Sequence, residues 1–247
     1  MKLWLASTLA LALIAPAAAQ TVSPAIEQAL ANPSRPEADR ARDAARKPGE
    51  VLAFAGIKPG DKVADFIMGG GYFTRILAGL VGPDGRVYAY QPAEFIQFRP
   101  AYADDQKKAV EGLANVTPLS TSLATLTFPE PLDAIVTAQN YHDLHLKMAP
   151  PGFAGVVAKR LLDSLKPGGV LLVVDHVANA DPEFKVPEAL HRIDPAAARA
   201  EIEKAGFVFE GELPILRNPA DPHTANVFTP EIRGKTDQFV HKYSKPK

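Results

Sequence analysis

The run Lys62-Val63-Ala64-Asp65-Phe66-Ile67-Met68-Gly69-Gly70-Gly71-Tyr72-Phe73-Thr74-Arg75-Ile76-Leu77-Ala78-Gly79-Leu80-Val81 changes its hydrophobic period once, at the three glycines. Before them, 62–66 has the length of a short strand. After them, Phe73, Ile76, Leu77 and Leu80 recur at helical spacing, which predicts a helix over 72–81. Pro83-Asp84-Gly85 is a turn, and the segment 86–90 reads as a second strand. A strand, a helix and a strand in so short a span make a β-α-β unit, whose strands lie parallel because the helix carries the chain back to the same end.

The rhythm continues on both sides. Helices are expected over 107–113 and 153–165, and strands over 116–120, 132–138 and 170–175, the last a continuous apolar run of the kind buried in parallel sheets. Upstream, 35–46 alternates charges among helix formers and reads as a solvated helix, with Arg35/Asp39 and Asp39/Asp43 at i,i+4. Pro48 opens a further short helix that Gly56 stops. In the tail, Asp194-Pro195 starts a helix that runs to Lys204, and strands over 207–212 and 239–243 are joined by a proline-punctuated loop. With no helix between them, these two strands can pair antiparallel at the sheet edge. The expected fold is therefore α/β, a doubly wound, Rossmann-like, mostly parallel sheet with a C-terminal antiparallel strand pair.

Composition narrows the function. Of 247 residues 47% are hydrophobic, and 27 basic against 28 acidic side chains leave a net charge of -1. This excludes a disordered chain and gives no basic excess for nucleic acid. With no cysteine, a disulfide scaffold is excluded too. Residues 1–19 carry Lys2, an apolar run over 3–14 and Pro16-Ala17-Ala18-Ala19, the pattern of a cleavable export signal. The run is shorter than the roughly 20 residues of a membrane span, so no stable span is expected in the mature protein. One domain over 20–247, periplasmic or secreted, is the expectation.

Ligands of such sheets bind beyond the carboxyl ends of the strands, where the first strand-loop-helix offers close backbone approach. Here that loop is 65–72. The order Val63-Ala64-Asp65, Gly69-x-Gly71-Tyr72-Phe73-Thr74, Gly85-Arg86-Val87-Tyr88-Ala89 and Leu165-Lys166-Pro167-Gly168-Gly169 resembles the class I S-adenosylmethionine-dependent methyltransferases. More narrowly it is similar to a clade of exported, methyltransferase-like bacterial proteins sharing Asn140-Tyr141-His142-Asp143, His191-Arg192-Ile193-Asp194, Arg217-Asn218-Pro219 and Arg233-Gly234-Lys235-Thr236-Asp237. The likeness spans about 35–246. It implies S-adenosylmethionine as cofactor and methyl transfer to a small-molecule acceptor. Asp65 would meet the donor's ammonium, Gly69, Gly70 and Gly71 would pass its amino-acid part, and Tyr72 would shape the lip. Position 91 would hold the ribose, 120–123 would flank the adenine, and Asn140 and Tyr141 would lie beneath the methyl group.

His142 and Asp143 follow the fourth strand at the site mouth, where a histidine can take the acceptor's proton near neutral pH. Asp175-His176 would line the far side, with His191-Arg192 and Arg217-Asn218 either bringing cations over the pocket or anchoring loops. As a loop anchor, Arg217 would pair with Asp221. Two positions depart from the family pattern. Ile67, a β-branched residue averse to positive φ, stands where glycine is usual. Gln91 stands where an acid is usual, and it can accept one hydrogen bond and donate another without the charge. These departures and the export signal leave an alternative, an exported non-catalytic ligand-binding protein on the same fold. A nicotinamide enzyme is disfavoured because the third small residue of its fingerprint and the ribose acid are missing. His142-x-x-His145, with Asp143 or Asp175, lacks a clear third ligand, so no metal site is expected.

Overall fold

The computed structural model describes residues 21–247, and the expected export signal lies outside the described residues. Helices α1 (Pro24–Ala31), α2 (Glu37–Arg40), α3 (Asp43–Arg46) and α4 (Pro48–Ala55) precede the sheet. There follow β1 (Lys62–Phe66), α5 (Tyr72–Val81), β2 (Arg86–Tyr90), α6 (Ala93–Phe98), α7 (Ala101–Val110), β3 (Val116–Leu119) and β4 (Leu132–Ala138). The chain ends with α8 (Phe153–Ser164), β5 (Leu165–His176), α9 (Pro187–Leu190), α10 (Pro195–Lys204), β6 (Val208–Glu212) and β7 (Gln238–Ser244).

The strands form one sheet in the order β3-β2-β1-β4-β5-β7-β6. All neighbours are parallel except β7, which runs antiparallel to both β5 and β6. Alternate side chains divide the core between the two faces. Val63, Val87, Val136 and Leu172 pack under α1, α4 and α5, whereas Phe66, Tyr90, Ile135 and Val173 pack with Leu161 of α8 and Ile202 of α10. Strand order reverses between β1 and β4, and the crevice above their carboxyl ends is where this architecture places a ligand.

The sequence reading stands for most of the sheet and fails in the amino-terminal segment. The single solvated helix over 35–46 is two short helices, because Arg35 and Asp39 are buried. Arg35 bridges to Asp43 (2.7 Å) and Asp39 to Arg42 (2.6 Å), in place of the attractive i,i+4 pair Arg35/Asp39. Lys47, in the left-handed region at φ 42, turns the chain into α4. Short helices α1 and α6 carry no signal that the periodicity revealed. The helix expected over 107–113 starts earlier, after Pro100, and ends before Gly112.

Candidate functional site

The crevice holds a cavity of about 630 Å³, within the range typical of small-molecule sites. The residues just past β1 and β4, Ile67 (φ 59) and Gln139 (φ 66), both take the left-handed conformation. For non-glycine residues this costs about 1–3 kcal/mol each and persists where surroundings over-determine it. They do so here. The Met68 N–H donates to the Tyr90 carbonyl (3.0 Å) and Asn140 Nδ2 to the Ile67 carbonyl (2.6 Å), tying the glycine loop to both β2 and β4. The Gln139 side chain accepts from Arg46 (2.8 Å) and donates to Gln238 (2.9 Å). Ile67 thus holds a backbone conformation that glycine adopts most readily, and it lines the cavity.

One end of the cavity is built by the glycine loop. Asp65 is buried at the end of β1 and accepts from Thr74 Oγ1 (2.6 Å). Burial pushes its carboxyl up to about 6, against that hydrogen bond and the nearby Arg46 and Arg75. Arg42 and Arg46 line the same end. The Arg46 guanidinium lies over the Tyr72 ring, 4.3 Å from its centre, and burial lowers its pKa. This end therefore presents a carboxylate and guanidinium groups together, complementary to a zwitterionic amino-acid group.

The glycines divide their work. A Cβ at Gly69 or Gly70 would meet nothing within 4 Å, and both glycines line the cavity. Gly71 (φ 77) is packed instead, since a Cβ there would lie 2.4 Å from the Ala109 Cβ. Beyond them sits Gln91, fully buried, its Oε1 accepting the Gly69 N–H (3.1 Å). That contact fixes the amide's orientation and leaves Nε2 as a buried donor without a partner among the described residues. A hydroxyl oxygen of a ligand would satisfy it. Phe95, Phe98 and Tyr102 supply aromatic surface nearby.

The other end is polar and assembled from distant segments. His142 opens a 3-10 turn after β4 and is buried, with Nδ1 2.8 Å from Asp175 Oδ1 and Nε2 3.2 Å from Asp143 Oδ1. Asp175, at the end of β5, also accepts the His142 backbone N–H (2.8 Å). Burial disfavours charge on His142, but Asp175 and Asp143 outweigh it and push the pKa up to about 10. Burial likewise works against charge on Asp143, yet His142 and His191 bring its carboxyl down to about 2. His176, whose Nδ1 meets the Thr236 hydroxyl at 2.7 Å, is pushed down to about 4 by burial. Both carboxylates thus favour the protonated form of the His142 ring.

Of the expected site residues, Asp65, Gly69, Gly70, Tyr72, Gln91, Asn140, His142 and Asp143 line one cavity, and Gly71 and Tyr141 do not. Tyr141 is buried in the core on the far side and donates to Glu201 (2.7 Å), because the turn after Asn140 sends successive side chains apart. The Tyr72 hydroxyl is likewise committed, to Asp43 (2.6 Å). The segment 120–123 does not line the cavity; Phe95, Phe98 and Tyr102 of α6 and α7 do. His145 stacks on Phe184 at 3.9 Å and lies outside the cavity, so the i,i+3 histidines do not converge. Arg192 is buried and forked onto Asp221 (2.8 and 3.0 Å), while Arg217 pairs with Asp237 and Glu212 rather than Asp221. Both anchor loops. His191, expected over the pocket or as a loop anchor, lines the cavity, as do Met148 and Phe228, which no short motif marked.

No family model matches the chain. Solved structures do. A SAM dependent methyltransferase from Aquifex aeolicus has 19% identity over 83% of this chain and 98% of its own, with a TM-score of 0.55. Fibrillarin from Aeropyrum pernix, in complex with natively bound S-adenosyl-L-methionine, has 17% identity over 82% and 76%, with a TM-score of 0.51. A possible exported protein from Bordetella parapertussis has 17% identity over 87% and 71%, with a TM-score of 0.52. At these identities the likeness is one of architecture, and the chain has the Rossmann-like fold of S-adenosylmethionine-dependent methyltransferases.

Proposed function

We propose that the protein binds S-adenosylmethionine in the crevice and transfers its methyl group to a small-molecule acceptor. The observation that carries this reading is the set of groups that line one cavity: Asp65 and Arg46, the open backbone of Gly69 and Gly70, and the unpartnered Nε2 of Gln91. Asp65 would hold the ammonium and Arg46 the carboxylate of the amino-acid part. Gln91 Nε2 would donate to a ribose hydroxyl, with Phe95, Phe98 and Tyr102 against the base. When bound, the donor supplies an activated methyl group whose carbon–sulfur bond breaks as the acceptor's lone pair takes the carbon.

At the other end, Phe228 and Met148, more than half exposed at 55% and 54%, border the cavity and suit an acceptor with an apolar body. His142, held between the Asp143 and Asp175 carboxylates, would relay the acceptor's proton, the ring passing the proton it holds to solvent and taking the acceptor's in its place. Catalysis would rest mainly on positioning. With 1–19 read as an export signal, the activity would lie in the periplasm or outside the cell. The test is incubation of the purified protein with methyl-labelled donor and a small-molecule extract. Labelled product that requires the protein supports the reading. Donor binding with no labelled product from any fraction would favour a non-catalytic binding protein.

A further inference from the structure

Three potential ligand atoms converge on the cavity wall from two distant segments. His142 Nε2 lies 3.2 Å from Asp143 Oδ1 and 3.3 Å from His191 Nδ1, and Asp143 Oδ1 lies 3.7 Å from His191 Nδ1. We propose that these three residues bind a divalent transition-metal ion. An ion held tetrahedrally by nitrogen and oxygen at about 2.0–2.1 Å separates its ligand atoms by about 3.3 Å. The trio already has nearly that spacing.

Two further features support a built site. The other ring nitrogen of His142, Nδ1, faces Asp175 at 2.8 Å, and Asp175 is itself fixed by accepting the backbone N–H groups of His142 and His176 (2.8 and 2.7 Å). A carboxylate in that position holds the ring in orientation, and an ion would take the place of the proton on Nε2. His191 ends α9 in the left-handed conformation (φ 52), with Phe228 against its ring at 4.9 Å. That strained backbone directs its imidazole back to a residue 49 positions earlier in the chain. Two imidazoles and one carboxylate suit zinc or iron(II), whereas magnesium and calcium favour all-oxygen sites.

All three residues line the same cavity as Asp65 and Gln91, so the remaining coordination positions face the space left for the acceptor. The ligand class implied is a hydroxyl, carboxylate or amine able to coordinate the ion. The site does not depend on the methyl-transfer reading, and its test reads metal alone. Tag-free, chelator-treated protein is titrated with cobalt(II) chloride, followed by visible absorption, and with zinc chloride by calorimetry. The expected result is one ion per chain, with a dissociation constant at or below the micromolar range. His191→Gly, which suits the left-handed backbone, should weaken binding at least 100-fold, and Asp175→Asn 10–100-fold. His145→Ala should leave binding intact. Circular dichroism of each variant checks the fold, and if His191→Gly does not fold, Asp143→Asn serves in its place. Absence of one-equivalent binding by the unaltered protein, or unchanged affinity in the ligand variants, would overturn the site.

Discussion

The two ends of the cavity are built differently. The end around Asp65 comes from one continuous stretch, β1, the glycine loop and α5, with Gln91 added from the neighbouring strand. The end around His142 comes from residues at 142, 143, 176, 191 and 228, with Asp175 buried behind His142, brought together only by the order of the sheet and by the loop after β5. The first end is a motif and the second a meeting point. The first end is suited to a fixed chemical group and the second to a variable one, since the loops can change without disturbing the strands.

The largest expected effect breaks the second end while sparing the first. His142→Gln should lower turnover about 1,000-fold and change donor affinity less than threefold, as steady-state kinetics and equilibrium binding would show. An equal loss in both would mean that the two ends are not separable. Next is the packing of the glycine loop. Gly71→Ala should cost about 3 kcal/mol in denaturant unfolding, from positive φ and the clash with Ala109. Gly70→Ala should cost under about 1 kcal/mol of stability but obstruct the donor, because its Cβ would stand in open cavity.

Asp65→Asn should weaken donor binding about 30-fold by removing the charge that faces the ammonium. The same residue sets a pH dependence. Its folded-state carboxyl is raised from 3.8 to about 6, so the folded protein holds a proton in that window that the unfolded chain releases. Stability should therefore fall as pH rises from about 4 to 6. A cationic donor pairs with the carboxylate, so its binding below pH 6 must expel this proton. Affinity should rise about fivefold from pH 5 to 6 and level off above pH 7, and Asp65→Asn should flatten the curve. The smallest effect sharpens the ribose position. Gln91→Glu, which keeps an acceptor for the Gly69 N–H and replaces the free donor with an acceptor for hydroxyls, should tighten donor binding a few-fold.

The difference between the ends also explains what the sequence made legible. β1, α5, β2 and β4 were read with their observed boundaries, because strand and helix periods are local and glycine and proline mark their ends. Asp65, Gly69, Gly70 and Gln91, which the family resemblance singles out, lie at the ends of those strands or in the loop after β1, and all four line the cavity. Tyr141 does not, and an irregular turn has no period from which to infer its direction. Arg46 was hidden in a segment whose charges looked solvated but which folds over the cavity. His191 joins His142 across β5 and the loop that follows it, a convergence that no spacing along the chain encodes, and the i,i+3 partner His145 was the wrong one.

Calorimetric titration of the purified protein with S-adenosylmethionine and with S-adenosylhomocysteine tests the central claim most directly. One-to-one binding of both near the micromolar range, weakened in Asp65→Asn and retained in His142→Gln, is the predicted result. Absence of heat with either compound across pH 6 to 8, confirmed by a second binding method, would contradict it.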